Sequence, residues 1–259
     1  MALQLSPPKD EKLPKSPLRI VVLNLRYTPT PRAASLEAGV ELQRRLGGRE
    51  AWRMEPIKTQ TFQLAGGIGF QSMPTMEVQN AGWRLSSEDE ASVATLSPES
   101  AGIETTKYGS WREFWGRMEI LLEGLIGLVK PEAELRLGLR YVNRIDDPRV
   151  SSPEEWEKWI EPAVLGVVRH PIGRSVIASQ QQLNLNVGDG IKATVGHGFF
   201  RDGDRLIYLI DFDTYREGTR PFDLAEVRNS AGHLHTVCLQ LFQNMITAEM
   251  YDYLRGGRA

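Results

Sequence analysis

The sequence predicts an α+β fold in which antiparallel strands pack under long helices, and two observations support this prediction. Short runs of β-branched and apolar residues, separated by turn-forming residues, fill much of the chain, a pattern typical of antiparallel strands. Two longer segments carry apolar residues at helical spacing behind a capping residue. Groups of strands interrupted by single helices favour antiparallel sheets with helices packed across them.

The composition excludes several classes of protein. The 259 residues are 41% hydrophobic and 25% charged, which excludes a disordered chain. A single cysteine excludes a disulfide framework or a multi-cysteine zinc site. The formal charge of −2 argues against a general nucleic-acid binder. The sequence has neither a signal peptide nor an apolar run that could span a membrane, so we expect a cytoplasmic protein.

The first half of the chain predicts a strand, a helix, several strands and a second helix. Residues 1–17 are rich in proline and lysine and are predicted to form a flexible N-terminal arm. The strand is predicted over residues 18–27, and the helix over 36–46 with Ser35 as its N-cap. Ser110 and Glu113 form a capping box that starts the second helix, which Pro131 ends. The strands between the helices are predicted at 57–64, 75–85, 91–96 and 103–107.

The second half repeats this order. A strand is predicted over 135–145, followed by a helix that begins after Ser152 and ends at His170-Pro171. The dipeptide Asp202-Gly203 predicts a hairpin turn. The last helix is predicted to begin near Asp223. The remaining strands are predicted at 175–187, 191–201 and 205–213.

Matching residues suggest that the two halves arose by duplication. Leu18-Arg19 recurs as Leu135-Arg136, and the Pro-Arg-x-x-Ser motif that ends at Ser35 recurs at Ser152, in both cases 117 residues later. A Leu-Arg-Tyr triplet recurs 114 residues later, in a different register. We therefore predict one compact body of two related units, residues 18–131 and 132–259. Their element order resembles that of the TATA-binding-protein and helix-grip architectures, which implies a saddle-like sheet.

Three segments resemble a sporadically distributed family of uncharacterised prokaryotic proteins of about 260 residues. They are Pro17-Leu18, the motif Tyr108-x-x-Trp111-x-x-Phe114, and GLRYVNRI at residues 138–145, which is the most specific. The resemblance runs from about residue 17 to residue 253. It implies a shared fold and no particular chemistry. The sporadic distribution of the family is typical of mobile or antiviral-defence genes, which is an association and not a mechanism.

Three arginines on the predicted strand 135–145 are the first candidate binding residues. Arg136, Arg140 and Arg144 are four residues apart, so all three lie on one face of a regular strand. Such a face can bind a carboxylate, a phosphate or an acidic partner through bidentate hydrogen bonds. The alternative is a ladder of salt bridges within the sheet. Acidic residues available for such a ladder are Glu77, Glu104, Asp211 and Asp213.

Asp211 and Asp213 are the second pair of candidates. They lie on the same face of a strand, about 7 Å apart, a spacing that suits a cation site or paired catalytic carboxylates. They also suit ion pairs with neighbouring arginines. His233 and His235 are separated by about 200° around a helix and cannot chelate one ion. The sequence thus predicts no metal site, cofactor or catalytic residue.

Aromatic pairs near the helix starts are the third candidates. Trp111 and Trp115 share a helix face, as do Trp156 and Trp159; both pairs suit either the core or a protein interface. Cys238 falls in the apolar stripe of the last helix and is predicted to be a buried, inert thiol. The glycine-rich segment at residues 66–69 predicts a loop rather than a phosphate site.

These observations favour a non-catalytic cytoplasmic binding module that acts as the partner protein of a larger prokaryotic assembly. The arginine-bearing sheet face or a tryptophan-bearing helix would contact a protein partner. One alternative is a saddle that binds nucleic acid. Another is a small-ligand binder or enzyme that uses Asp211, Asp213 and the sheet arginines. The sequence leaves the partner and the oligomeric state open.

Overall fold

The computed structural model describes residues 5–48, 51–63 and 75–257. They form an α+β fold built on one nine-stranded sheet in which every neighbouring pair of strands is antiparallel. The strands are β1 (Leu18–Tyr27), β2 (Trp52–Gln63), β3 (Thr75–Ser87), β4 (Ser92–Leu96), β5 (Ser100–Thr105), β6 (Ala133–Asp146), β7 (Ser179–Gly188), β8 (Ile191–Asp202) and β9 (Arg205–Pro221). Their order across the sheet is β2-β3-β4-β5-β1-β6-β9-β8-β7.

The α-helices in the described part of the chain are α1 (Leu36–Leu46), α2 (Trp111–Leu128), α3 (Pro162–Leu165), α4 (Leu224–Met245) and α5 (Ala248–Leu254). Helix α1 contacts β2 and β3, α2 contacts β5, and α4 contacts β6 and β9. No helix in the described part of the chain is both long and apolar enough to cross a membrane.

The predicted antiparallel α+β class is confirmed, and so are most of the elements. The strand at 18–27 and the helix at 36–46 have the predicted bounds, and Ser35 accepts a hydrogen bond from the backbone N–H of Ala38. Ser110 and Asp223 cap α2 and α4. Strand β9 is longer than predicted and continues to residue 221. The hairpin turn lies one residue later than predicted, at Gly203-Asp204, where Gly203 has a φ of 60°.

The single helix predicted after Ser152 is wrong. The chain instead forms 3-10 turns at 153–158, 166–169 and 171–175, with the one-turn helix α3 among them. Two features break the helix. Pro162 has no N–H to donate, and Gly166 adopts a φ of 54° that a regular helix does not allow.

The core lies between the sheet and the helices, and β1 shows the alternation that produces it. Val21, Leu23, Leu25 and Tyr27 are fully buried, whereas the residues between them are partly or fully exposed. Side chains on a strand alternate between the two faces, so β1 gives one row to the core. Strand β6 does the same with Leu137, Leu139, Tyr141 and Ile145.

The N-terminal segment from residue 5 to 17 has no helix or strand and runs beside α4 and α5. Lys9 exchanges two hydrogen bonds with the amide of Gln243, and the Tyr251 hydroxyl donates to Glu11 over 2.7 Å. Lys15 lies over the ring of Tyr253 at 4.0 Å. The segment predicted as an arm is therefore held against the C-terminal helices. The glycine-rich segment at 66–69 lies outside the described residues.

Candidate functional site

The second face of the sheet, which we call the open face, carries the sheet arginines predicted as binding residues. It is the face of β6 that bears Arg136, Arg140 and Arg144, and it lies opposite the helices. In the same strand Leu139, Tyr141 and Ile145 point into the core, as strand alternation predicts. The adjacent strand β9 brings Asp211 and Asp213 to the open face beside the arginines.

Arg140 and Asp211 form the best-defined contact on the open face. The Nε and Nη2 atoms of Arg140 donate to the two carboxylate oxygens of Asp211 over 2.8 and 2.6 Å. This bidentate geometry is the strongest form of an arginine–carboxylate contact. It also raises the pKa of Arg140 above its ordinary value. The Arg140 side chain nevertheless keeps 54% of its surface exposed, so the guanidinium is oriented but not covered.

Arg136 is held more closely against the sheet. Its Nη2 donates to Asp213 over 2.9 Å, and its guanidinium lies 4.5 Å from the centre of the Tyr215 ring. Gly138, the next residue on this face, makes the arrangement sterically feasible, because a Cβ at that position would collide with the Arg136 guanidinium. A residue without a side chain between two arginines thus allows one of them to lie flat.

Arg144 completes the row at the hairpin end of the sheet. Its Nη2 donates to Asp202 over 2.6 Å and lies 3.9 Å from Asp146. Each of the three arginines therefore has an aspartate partner, and the three pairs together are neutral. The sequence predicted that these arginines form either a binding face or a ladder of salt bridges within the sheet. The ladder is present, and Asp202 is an additional member of it.

Asp211 and Asp213 both take part in this pairing. Asp211 accepts two hydrogen bonds from Arg140, and Asp213 accepts one from Arg136. Within the part of the chain that the structure describes, no group of three or more histidine, cysteine, aspartate or glutamate side chains could hold a metal ion. The contacts of these two aspartates on the open face are therefore ion pairs with arginines.

A cavity of about 460 Å³ lies beside Asp211, at the β7–β8–β9 end of the open face. Gly196 and Gly198 of β8 form part of its wall, with Gln180, Phe200 and Asp211 around them. A Cβ at Gly196 would have only the Cβ of Asp211 within 4 Å, so the missing side chain contributes to the space. The cavity combines an aromatic ring, an amide and a carboxylate.

The predicted tryptophan candidates lie on the covered side of the sheet. Trp115 is buried, and Trp111 is half-buried with its ring stacked on His235 at a centroid distance of 4.5 Å. Trp156 and Trp159 are fully buried. These four side chains pack in or against the core and anchor their segments there. Of the two roles that the sequence offered for them, core or interface, their packing corresponds to the core.

His235 is a buried titratable group on the covered side. Its Nδ1 lies 2.8 Å from the Tyr141 hydroxyl, and its Nε2 is 3.9 Å from a carboxylate oxygen of Asp10. Burial lowers the pKa of His235 to about 4 despite this carboxylate. His233 is exposed, so the two histidines lie on different sides of α4 as predicted.

Cys238 is fully buried on α4, and its Sγ lies 3.3 Å from the Thr214 hydroxyl. Burial raises the pKa of the thiol to about 12. The predicted burial is confirmed. A thiol that stays protonated at neutral pH is a poor nucleophile, which supports the expectation that Cys238 is inert.

Two features of the open face were missed by the sequence analysis. One is the cavity, because glycines at alternate positions of one strand give no sign of which neighbours surround them. The other is a row of amides on β7, namely Gln180, Gln182, Asn184 and Asn186, all exposed. Their alternation in the sequence could have been noticed, but its position at a sheet edge could not.

Comparison with protein-family models and with curated proteins gave no match.

Proposed function

We propose that this protein is a non-catalytic binding module, a partner protein within a larger prokaryotic assembly, and that its open face contacts a protein partner. The observation that carries the proposal is the Arg140–Asp211 pair. A bidentate contact holds the guanidinium in one orientation, and more than half of its surface remains exposed. An oriented, exposed arginine loses little side-chain entropy when it binds.

The remaining N–H groups of Arg140 define the chemistry of the partner. Asp211 uses one Nε and one Nη2 donor, and a guanidinium has further N–H groups on Nη1 and Nη2. These donors suit a backbone carbonyl or a carboxylate on the partner. Val22 of β1 lies opposite Arg140 and is half-buried, so apolar surface adjoins the donors, as in the centres of protein interfaces.

The charge on the open face disfavours the nucleic-acid alternative. Binding to a phosphate backbone depends on a surplus of positive charge. Arg136, Arg140 and Arg144 are each paired with an aspartate, so the central row offers a mixed surface instead of a basic stripe. A protein surface with charges of both signs is the better complement.

An affinity experiment with two matched variants tests the proposal. The wild-type chain, the Arg140→Ala/Arg144→Ala variant and an Arg169→Ala control are each used to capture binding proteins from the native host. Arg169 is a suitable control because it also forms an ion pair, with Glu157, and its exposure of 52% matches the 54% of Arg140. We expect a partner captured by the wild type and the control to be lost from the double variant. Equal capture by all three would contradict the proposal.

The cavity favours a second candidate function, the binding of a small ligand. Its aromatic, amide and carboxylate groups suit a flat molecule with hydrogen-bond donors. Replacing Gly196 with leucine would fill the space with few clashes, because a Cβ there meets only Asp211 within 4 Å. We expect a metabolite that raises the melting temperature of the wild type to have no effect on Gly196→Leu. A metabolite library without any effect on the wild type would contradict this candidate.

We also infer that the two halves of the chain descend from one duplicated unit. Strands β1 and β6 lie side by side at the sheet centre, and each also pairs with the last strand of its own unit, β5 or β9. A shift of 114 residues aligns the buried Tyr27 with the buried Tyr141, whereas 117 would align opposite faces. The strands therefore correspond at 114, and the second Pro-Arg-x-x-Ser motif lies three residues farther from Tyr141 than the first lies from Tyr27.

An experimental structure tests the duplication directly. Superposition of β1 on β6 at the 114-residue shift should bring α2 close to α4. A superposition that leaves these two helices on unrelated parts of the sheet would contradict a common origin.

A further inference from the structure

Strand β7 forms one edge of the sheet and lacks the features that usually prevent an edge strand from pairing with another chain. From residue 179 to residue 188 it contains no charged residue and no proline. Gln180, Gln182, Leu183, Asn184 and Asn186 are all exposed. In the described part of the chain only β8 pairs with it. Natural proteins usually protect long edge strands with charge, proline or a covering element, so an unprotected edge of ten residues requires an explanation.

The opposite edge shows that this chain does protect a strand elsewhere. Strand β2 contains Pro56, and it carries Arg53, Glu55 and Lys58 within its first seven residues. Arg53 lies 3.2 Å from Glu55 and 3.1 Å from Glu90, so its charge is held at the edge. Proline and fixed charges both oppose the addition of another strand. The difference between the edges indicates that β7 is available for pairing and β2 is not.

The two faces of β7 carry different but equally uncharged side chains. The amides of Gln180, Gln182, Asn184 and Asn186 lie on the open face, where Asn184 accepts a hydrogen bond from Thr194. Leu183 lies on the other face. Exposed apolar side chains are concentrated close to this edge in the chain: Val167, Ile172, Ile177 and Leu183. The segment of Val167 lies against β7, since a Cβ at Gly166 would be 3.6 Å from the Gln181 side chain.

We infer that β7 pairs antiparallel with β7 of a second copy of this chain and joins the two sheets into one. A two-fold axis at Leu183 places each leucine opposite its own copy. It also places Gln180 opposite Asn186 and Gln182 opposite Asn184. Amides both donate and accept hydrogen bonds, so a row of amides complements itself, as the two-fold symmetry of a dimer requires. On the other face the same axis brings the two copies of Leu183 together and places Gln181 opposite Leu185.

The oligomeric state of the full chain tests this pairing. Sedimentation velocity over a range of protein concentrations should show a wild-type dimer. Leu183→Lys places two ammonium groups opposite each other and should weaken dimerisation by about tenfold or more. Val40→Lys is the matched control, because Val40 on α1 is 48% exposed and Leu183 is 46% exposed. We expect the control to dimerise like the wild type.

Two variants of opposite charge at Leu183 test the position of the two-fold axis. Their test is a gain of dimerisation on mixing, so it does not rest on loss of dimerisation alone. Leu183→Lys and Leu183→Glu should each be monomeric at concentrations where the wild type is dimeric, and an equal mixture should form a heterodimer. A wild type that is monomeric at every concentration would overturn the inference, as would a dimer that Leu183→Lys does not weaken. Capture of a foreign strand at β7 by a monomeric wild type would also overturn it.

Discussion

Two ion pairs with the same geometry lie on opposite faces of this sheet. Arg216 makes a bidentate contact with Glu134 over 2.8 and 2.7 Å, and Arg140 makes one with Asp211 over 2.8 and 2.6 Å. The side chains of the first pair are 11% and 2% exposed, and those of the second are 54% and 22% exposed. Because their chemistry is so similar, burial decides their roles. The first pair contributes to the fold, and the second remains accessible to a partner.

An irregularity in the sheet separates the two pairs. The register between β6 and β9 shifts between Glu134 and Arg136. Glu134 is buried, and Arg136, two residues later, is on the open face. A β-bulge reverses the face on which the following side chains lie. Glu134 therefore lies in the core, although regular alternation from Arg136 would place it on the open face.

The largest effect is expected when the buried pair is broken. Glu134→Ala leaves the guanidinium of Arg216 without its partner in a largely buried position, which should lower the free energy of unfolding by about 3–5 kcal/mol. Urea denaturation followed by circular dichroism measures this. Glu134→Leu combined with Arg216→Met should recover most of the loss, because it removes both charges. A loss below about 1 kcal/mol for Glu134→Ala would show that the covered pair behaves like the exposed one.

The second prediction concerns the dependence of stability on pH on the covered side. Burial lowers the pKa of His235 to about 4 in the folded protein, whereas the unfolded chain has a histidine pKa near 6.5. As the pH falls from about 6.5 to 4, the unfolded chain binds a proton that the folded protein does not. Stability is therefore complete above this range and should decrease within it, by up to about 3 kcal/mol.

The variant His235→Gln isolates this contribution. His197, whose pKa burial also lowers, is present in both proteins, so the difference between their stability curves reports on His235. We expect a smaller loss of stability between pH 6.5 and 4 in the variant. If stability depends on pH equally in the two proteins, His235 binds protons as readily in the folded state as in the unfolded chain. That result would contradict the burial of His235 on the covered side.

The smallest effect on stability is expected on the open face. Arg140→Ala with Arg144→Ala removes two partly exposed ion pairs, each of which contributes about 0–1 kcal/mol. Thermal melting of this variant should therefore resemble that of the wild type. A loss of several kcal/mol would assign the open-face pairs to the fold, together with Glu134 and Arg216.

How much the sequence could predict depended on whether a feature is local. Capping residues such as Ser35 and Ser110 interact with the next turn of their own helix, so the starts of the helices were predictable. The alternation along β6 also correctly placed Arg140 and Tyr141 on opposite faces. The helix predicted after Ser152 is wrong because its capping residues act only on the first turn, whereas Pro162 and Gly166 interrupt the segment farther on.

Features that depend on neighbouring strands were only partly predictable. The sequence proposed Asp211 and Asp213 as ladder partners, but it could not choose between a ladder and a cation site, because that choice depends on the register of β6 against β9. The edge position of β7 depends on the order of all nine strands. No local sequence pattern contains that order. The lack of charge from residue 179 to residue 188 is therefore informative only once the strand order places β7 at the sheet edge.

Binding by the open face is the central claim, and the measurement that tests it most directly compares Arg140→Ala/Arg144→Ala with Arg169→Ala for one captured partner. With both variants folded, the account predicts that the partner binds the Arg169 variant like the wild type and no longer binds the double variant. Undiminished binding by a stably folded double variant would contradict the account and remove these arginines from the function of the protein.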